Sequence, residues 1–168
     1  MVKPLIARAS PWQKIVVGLI SDTHGLVRPG VQQAFAGVEL ILHAGDVGGS
    51  AVLEALTTIA PTKAVFGNVD DAHDPALKRE RVVTVGGVTI HVSHGHELGR
   101  PQPELMLQSY EGDVLVFGHT HRATIHRDGK RLCVNPGAAG PRRFDVVPSV
   151  ARLTITDGRA TAEIVMLA

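Results

Sequence analysis

Five short stretches carry side chains that could hold metal ions: Ser21-Asp22-Thr23-His24-Gly25, Gly45-Asp46, Gly67-Asn68, His94-Gly95-His96 and Gly118-His119-Thr120-His121. They supply seven potential oxygen or nitrogen ligands, Asp22, His24, Asp46, Asn68, His94, His119 and His121, and no cysteine. A thiolate-free set of imidazole, carboxylate and amide favours Mn, Fe, Ni, Zn or Mg chemistry over a structural zinc. Residues two apart on an extended chain face the same side, so Asp22 and His24 are expected to converge on one point. A carboxylate has two oxygens and can bridge two cations, and Asp46 is read as that bridge. Seven ligands with one shared make two sets of four, which leaves open positions for water on five- or six-coordinate ions. Open positions describe a catalytic pair. Two divalent cations bring four positive charges; Asp22 and Asp46 remove two, and a bridging hydroxide one more. The remaining charge, near +1, suits a phosphodiester monoanion. Each stretch alone is weak. Gly-Asp after a strand is ordinarily a turn, and Asp-x-His is ordinarily an N-cap beside a surface histidine.

The elements around these stretches give them a common place. Ile15-Val16-Val17-Gly18-Leu19-Ile20 is a short, β-branched apolar run, expected as a central buried strand that ends at Asp22. A weak helix over 31–35 leads to a strand over 40–44, ending at Asp46. Ser50 is expected to cap a helix over 51–59, with Glu54 at the capping-box position and Pro61 as its stop. A strand over 63–66 ends at Asn68. This spacing describes parallel βαβ units, whose ligands bind beyond the carboxyl ends of the strands. The second half is richer in strand. Hairpins are expected over 81–93 about Gly86-Gly87, over 124–135 about Asp128-Gly129, and over 150–166 about Asp157-Gly158. Between the first two lie a short helix over 103–110 and a strand over 114–117 that ends at His119 and His121. The expected fold class is α/β, with two mixed β-sheets packed face to face as a sandwich and helices outside.

Composition narrows the class. A chain of 168 residues that is 44% hydrophobic and 20% charged reads as one globular domain over 14–168, long enough to bury about two thirds of its extended surface. Residues 1–13 read as a short leader that need not be ordered. That stretch is broken by Pro4 and Pro11 and lacks the apolar centre of a signal peptide. The formal net charge of +1 offers no basic surplus for nucleic acid, and no apolar run approaches the roughly 18 residues of a membrane span. The single cysteine, Cys133, lies in a strand-like run and is expected to be a small buried core residue, in keeping with a reducing cytoplasm.

Taken in order, the five stretches resemble the signature of the calcineurin-like metallophosphoesterases. Gly67-Asn68-Val69-Asp70, Asn135-Pro136-Gly137 and the short length resemble its small bacterial and archaeal phosphodiesterase branch. The resemblance runs from Val16 to about Arg142. It implies an αββα sandwich with a dimetal site at the strand ends. Asp22, His24 and His121 would bind one metal; Asn68, His94 and His119 would bind the other; Asp46 would bridge and so be catalytic. A hydroxide between the metals would attack phosphorus in line with the leaving oxygen. The implied cofactor is a pair of divalent ions, Mn²⁺ first, with Ni²⁺, Co²⁺, Fe²⁺, Zn²⁺ or Mg²⁺ as substitutes. The implied substrate is a small phosphodiester. A phosphomonoesterase on the same site and a non-catalytic scaffold of the same fold are the alternatives, and a homo-oligomer is compatible with either. Many members of the family follow the ligand Asn with a His that assists the leaving group; here Val69 stands there.

Other residues near these stretches keep two readings each. His96 could supply the missing acid or be an exposed loop histidine. His43 could orient a ligand from behind or be a satisfied core histidine. Arg142 or Arg143 could reach the substrate phosphate, or both could be surface charges. Asp70, Asp71 and Asp74 read as a solvated acidic turn that could also repel a doubly charged monoester. His73, His91 and His126 read as surface residues.

Overall fold

The computed structural model describes residues 13–143 and 145–167. The expected leader therefore lies outside the described residues, apart from Gln13.

Strand β1 (Ile15–Ile20) is buried along its whole length, as its unbroken apolar run requires. It pairs in parallel with β2 (Leu40–His43), which pairs in parallel with β3 (Thr62–Val65). Helices α1 (Gly30–Ala34) and α2 (Ser50–Thr57) are the crossovers. A two-residue strand β4 (Leu77–Lys78), too short to show a period in sequence, extends this sheet beyond β3. The hairpin β5 (Glu80–Val85) and β6 (Val88–Ser93) opens a second sheet. Helix α3 (Pro103–Ser109) leads to β7 (Val114–Val116), parallel to β6. The hairpin β8 (Thr124–Asp128) and β9 (Arg131–Asn135) follows. The last hairpin, β10 (Ser149–Thr156) and β11 (Arg159–Met166), returns to the first sheet, where β10 runs antiparallel to β1. The orders are β11-β10-β1-β2-β3-β4 and β5-β6-β7-β9-β8.

Strand alternation builds the layers. Val17, Leu19, Leu40 and Leu42 turn inward to meet Ile90, Val116 and Val134 of the second sheet. Their neighbours Val16, Ile20 and Ile41 turn outward beneath Phe35, Val52 and Leu56. On the far side Met106 of α3 covers Leu115, Phe117 and Cys133. The expected αββα sandwich is the observed one. Fully burying each of these large side chains contributes roughly 1.5–3 kcal/mol, so the sheets hold their strand ends in place without help from the site.

Two details differ from the sequence reading. Helix α2 is capped by Gly49, at φ 121°, with no side-chain hydrogen bond; Ser50 is already its first residue and Glu54 closes no capping box. His91 is buried, 3% exposed, instead of lying on the surface. Its position in β6 does point out of the sandwich, but Tyr110 at the end of α3 lies over it, with ring centroids 4.2 Å apart and 20° between planes. Glu80 Oε2 stands 3.1 Å from its Nε2. His73 is exposed and His126 partly so, as expected.

Candidate metal centre

All five stretches leave the sandwich at one edge. Asp22 and His24 follow β1, Asp46 follows β2 and Asn68 follows β3; His94 follows β6, and His119 and His121 follow β7. Backbone hydrogen bonds stitch the loops to one another. Asp22 N donates to Gly45 O, His24 N to Asp46 O, and Gly118 N to His94 O, at 2.9, 3.0 and 3.1 Å.

The structure brings the seven residues together, by a different local route from the one expected. Strand β1 ends at Ile20, so Asp22 and His24 do not converge through extended alternation. Their φ angles are 55° and 46°, and those of Asp46, His119 and His121 are 54°, 70° and 62°. Among the described residues the other non-glycine with positive φ is Asp157, in a hairpin turn. Asp and His tolerate the left-handed region better than most side chains, yet each such residue still costs of order 1 kcal/mol. Strain gathered on five of the seven residues is the pattern of a site held open by its surroundings. Close approach also demands glycine. A Cβ on Gly67 would collide with Asp46 Oδ1, and one on Gly118 with Ser21 Oγ and Asp22 Oδ2.

Two sets are visible in the distances. In one, His121 Nε2 lies 3.3 Å from Asp22 Oδ1, and the His24 and His121 rings are 5.4 Å apart. In the other, Asn68 Oδ1 lies 3.1 Å from both His94 Nε2 and His119 Nδ1. Both carboxylates reach across: Asp46 Oδ2 lies 3.8 Å from His24 Nε2 and 3.3 Å from His94 Nε2, and Asp22 Oδ1 lies 3.3 Å from His121 Nε2 and 3.9 Å from His94 Nε2. The atoms of Asp22, His24 and His121 lie within 4.8 Å of one another, as do those of Asp22, Asp46 and His94.

The donor set fits divalent cations on its own chemistry. Asp22 Oδ1 and His24 Nε2 are buried and have no hydrogen-bond partner, a costly condition unless a ligand completes them. The other Asp22 oxygen is already satisfied by Ser21 Oγ at 2.7 Å and His119 N at 3.2 Å, so Oδ1 is left aimed at the centre. His94 Nδ1 donates to Ala44 O at 2.7 Å, so Nε2 is the nitrogen turned to the centre; without a metal it carries a proton toward Asp46 and Asn68, and on losing that proton it offers a cation its lone pair. Burial alone would raise the Asp46 pKa, but hydrogen bonds from His94 and Val69 and the nearby His24 hold it down at about 2. Burial would lower His94, but the Asp46 hydrogen bond and the charges of Asp22 and Asp46 raise it. The metal-free site thus draws positive charge toward the spot where a cation would stand. His119 is lowered, chiefly by burial and then by His94.

The surrounding residues divide. His43 is fully buried, and its ring meets the core reading. Its Nδ1 accepts from Gly45 N at 3.1 Å, so its Nε2 carries the proton to Thr23 Oγ1 at 2.9 Å. That hydroxyl in turn donates to Val47 O at 2.7 Å. It is a satisfied core histidine that ties the loop carrying Asp22 to the loop carrying Asp46. Asp70 is not a solvated turn residue. Its carboxylate accepts from Val47 N, Gly48 N and Gly67 N at 3.0, 3.0 and 2.9 Å, clamping the ends of β2 and β3 together. Asp71 and Asp74 make only local turns, with His73 N and Ala76 N. Asn135 holds the loop after β7 through Gly118 O and Thr120 Oγ1. His96 lies beside the centre, its ring 5.3 Å from His94 and 6.3 Å from His119. Burial and then the His94 charge lower its pKa. Cys133 is buried as expected, its thiol pushed up to about 12 by burial.

Above the ligands opens a cleft of about 420 Å³ whose walls include Arg122, Arg143 and Val146. Sequence reasoning reached Arg143 only as one of two readings and missed Arg122, although it directly follows the last ligand. Arg142 does not line this cleft. No helix among the described residues is long and apolar enough to cross a membrane.

Known proteins resemble this chain in sequence and in fold. A family model described as the calcineurin-like phosphoesterase superfamily domain matches residues 15–158. A probable metallophosphoesterase of Methanothermobacter thermautotrophicus is 35% identical over 162 residues, covering 90% of this chain and 92% of that one. A phosphodiesterase of Methanocaldococcus jannaschii is 25% identical over 139 residues, covering 72% and 82%. A Vps29 of Entamoeba histolytica, solved in complex with zinc, superposes with a TM-score of 0.71 at 25% identity, covering 92% and 100%.

Proposed function

Because the chain belongs to the calcineurin-like phosphoesterase superfamily, we propose that it is a phosphodiesterase that works with two divalent cations, Mn²⁺ above the others. The observation that carries this reading is the placement of Asp46 Oδ2 between His24 and His94 while Asp22 Oδ1 and His24 Nε2 are buried with no hydrogen-bond partner. Asp22, His24 and His121 would hold one ion, Asn68, His94 and His119 the other, and Asp46 both. Ions held there would polarise the phosphoryl group and lower the pKa of the attacking water. The chain's own part is to fix this geometry. Ala44 O sets the His94 tautomer, Ser21 and His119 N pin Asp22, and Val69 N pins Asp46. Two carboxylates against two divalent ions leave a positive centre suited to a monoanionic diester.

Val69, 60% exposed, offers no proton where many relatives carry a histidine. His96 is the nearest substitute. Its ring lies 5.3 Å from that of His94, and burial lowers its pKa. Diesters with good leaving groups should therefore react best.

Metal-stripped protein should be inactive and should recover with Mn²⁺ better than with Ni²⁺ or Co²⁺. Bis(4-nitrophenyl) phosphate should exceed 4-nitrophenyl phosphate in kcat/KM. A preference for the monoester would move the reading to a phosphomonoesterase; turnover without metal would end the dimetal reading. A non-catalytic scaffold is the second reading, favoured by the Vps29 likeness. That Vps29 is itself described with zinc, so metal binding alone does not separate the two; turnover does.

A further inference from the structure

We propose that Arg122 and Arg143 form a seat for a second anionic group of the substrate, so that the preferred diester carries a carboxylate or phosphate on the arm next to the scissile phosphate. The inference rests on the phosphodiesterase reading and deepens it.

Three observations converge. Both arginines line the same cleft as His24, Asp46, Asn68, His119 and His121, so one ligand could meet the metal site and the guanidinium pair together. Their local structure differs. Arg122 directly follows His121 on the loop after β7, while Arg143 sits on the segment before β10, where its backbone pairs with Val146 across an isolated bridge. The two therefore come from separate chain segments. Among the described residues neither guanidinium forms an ion pair, whereas Arg81, Arg131 and Arg152 are all tied to backbone carbonyls. Unspent guanidinium donors on the wall of a cleft are suited to a planar or tetrahedral anion.

A neighbouring acidic hollow gives the seat a direction. Exposed Val69 is shared with a second hollow of about 170 Å³, whose lining includes Asp70, Asp71 and Asp74. Asp70 is spent on three amides, but Asp71 and Asp74 leave that end negative. A diester with one anionic arm would lie with that arm toward the arginines. Its neutral leaving group would lie over Val69. The reverse orientation would set like charges side by side. Composition could not show this asymmetry, because the opposed patches cancel in a net charge of +1.

The test uses two 4-nitrophenyl alkyl phosphodiesters that differ only at the end of the alkyl arm, carboxylate against carboxamide, on Mn²⁺-loaded full-length protein. The carboxylate should be favoured by about tenfold in kcat/KM, the scale of charge-assisted hydrogen bonds discounted for exposure, and the ratio should shrink as salt is added. The ratio is internal to each variant, so general damage cancels. It should fall to about one in Arg122→Gln/Arg143→Gln and invert in Arg122→Glu/Arg143→Glu, while Arg142→Gln, an exposed neighbour outside the cleft, should keep it. Calorimetric binding of the matching non-hydrolysable phosphonates gives a second readout. A carboxylate preference in binding without turnover of either diester would overturn the phosphodiesterase reading and leave the anion seat standing. A wild-type protein that shows no carboxylate preference in turnover or binding, or a double variant that keeps one, would overturn the seat.

Discussion

In the proposed arrangement Asp46 is the residue shared by the two ligand sets. Its Oδ2 faces both His24 and His94, and its Oδ1 is held by Val69 N. Asp46→Asn keeps the shape but loses the charge and replaces one acceptor oxygen with a donor. Both ion sites should weaken together, with kcat falling by more than the roughly 100-fold typical of supporting residues. Asn68→Ala removes a neutral amide that reaches only His94 and His119, and should spare the ion held by Asp22, His24 and His121. Metal stoichiometry measured beside kcat distinguishes the two. Two ions per chain at wild-type affinity in Asp46→Asn would show that Asp46 is not the bridge. Asp22-x-His24 and His119-x-His121 were legible in sequence only together, because each pair follows an apolar strand-like run and five such stretches recur in order. The left-handed backbone that turns them toward one another was not legible. Asp and His permit that conformation without announcing it.

At the scale of elements, the site depends on strand ends staying in register beyond the strands themselves. Asp70 does this for β2 and β3 with three amide hydrogen bonds. Asp70→Ala leaves those amides without their acceptor and should cost about 1–3 kcal/mol of stability, seen in chemical unfolding. It should also lower Mn²⁺ affinity by roughly 10-fold, because Asp46 and Asn68 lie on the segments it joins. Unchanged metal affinity would mean that the sheet alone positions those loops. The parallel strands, the three hairpins and the sandwich were legible because their apolar runs and two-residue turns are local signals. Asp70 was misread because an Asp in an acidic run looks solvated until its partners, 22 and 23 residues earlier, come into view. His91 was misread for a related reason: burial of an outward strand position depends on what covers it, here Tyr110.

For the molecule as a whole, acid should act through His43 before it acts through the carboxylates. Burial lowers the His43 pKa from 6.5 to about 4. The unfolded chain therefore binds a proton that the folded chain refuses between those values. The stability involved is fully present above pH 6.5 and is lost as pH falls toward 4, about 3 kcal/mol in all. Asp46 contributes a second loss lower down, between 3.8 and about 2. His94, whose pKa is raised in the metal-free protein, works the other way, stabilising below its unfolded value and fading as pH rises through its folded one. Unfolding of metal-free His43→Gln across pH 4–7 should show a flatter slope than the parent; an identical slope would assign the acid sensitivity elsewhere. The ligands also divide between the sheets, Asp22, His24, Asp46 and Asn68 from the first and His94, His119 and His121 from the second. A cation pair held among them would act as a rivet across the sandwich's open seam, in place of any covalent cross-link. Loading the rivet should slow amide hydrogen exchange in loops of both sheets at once. The hydrophobic interior, closed without it, should exchange as before.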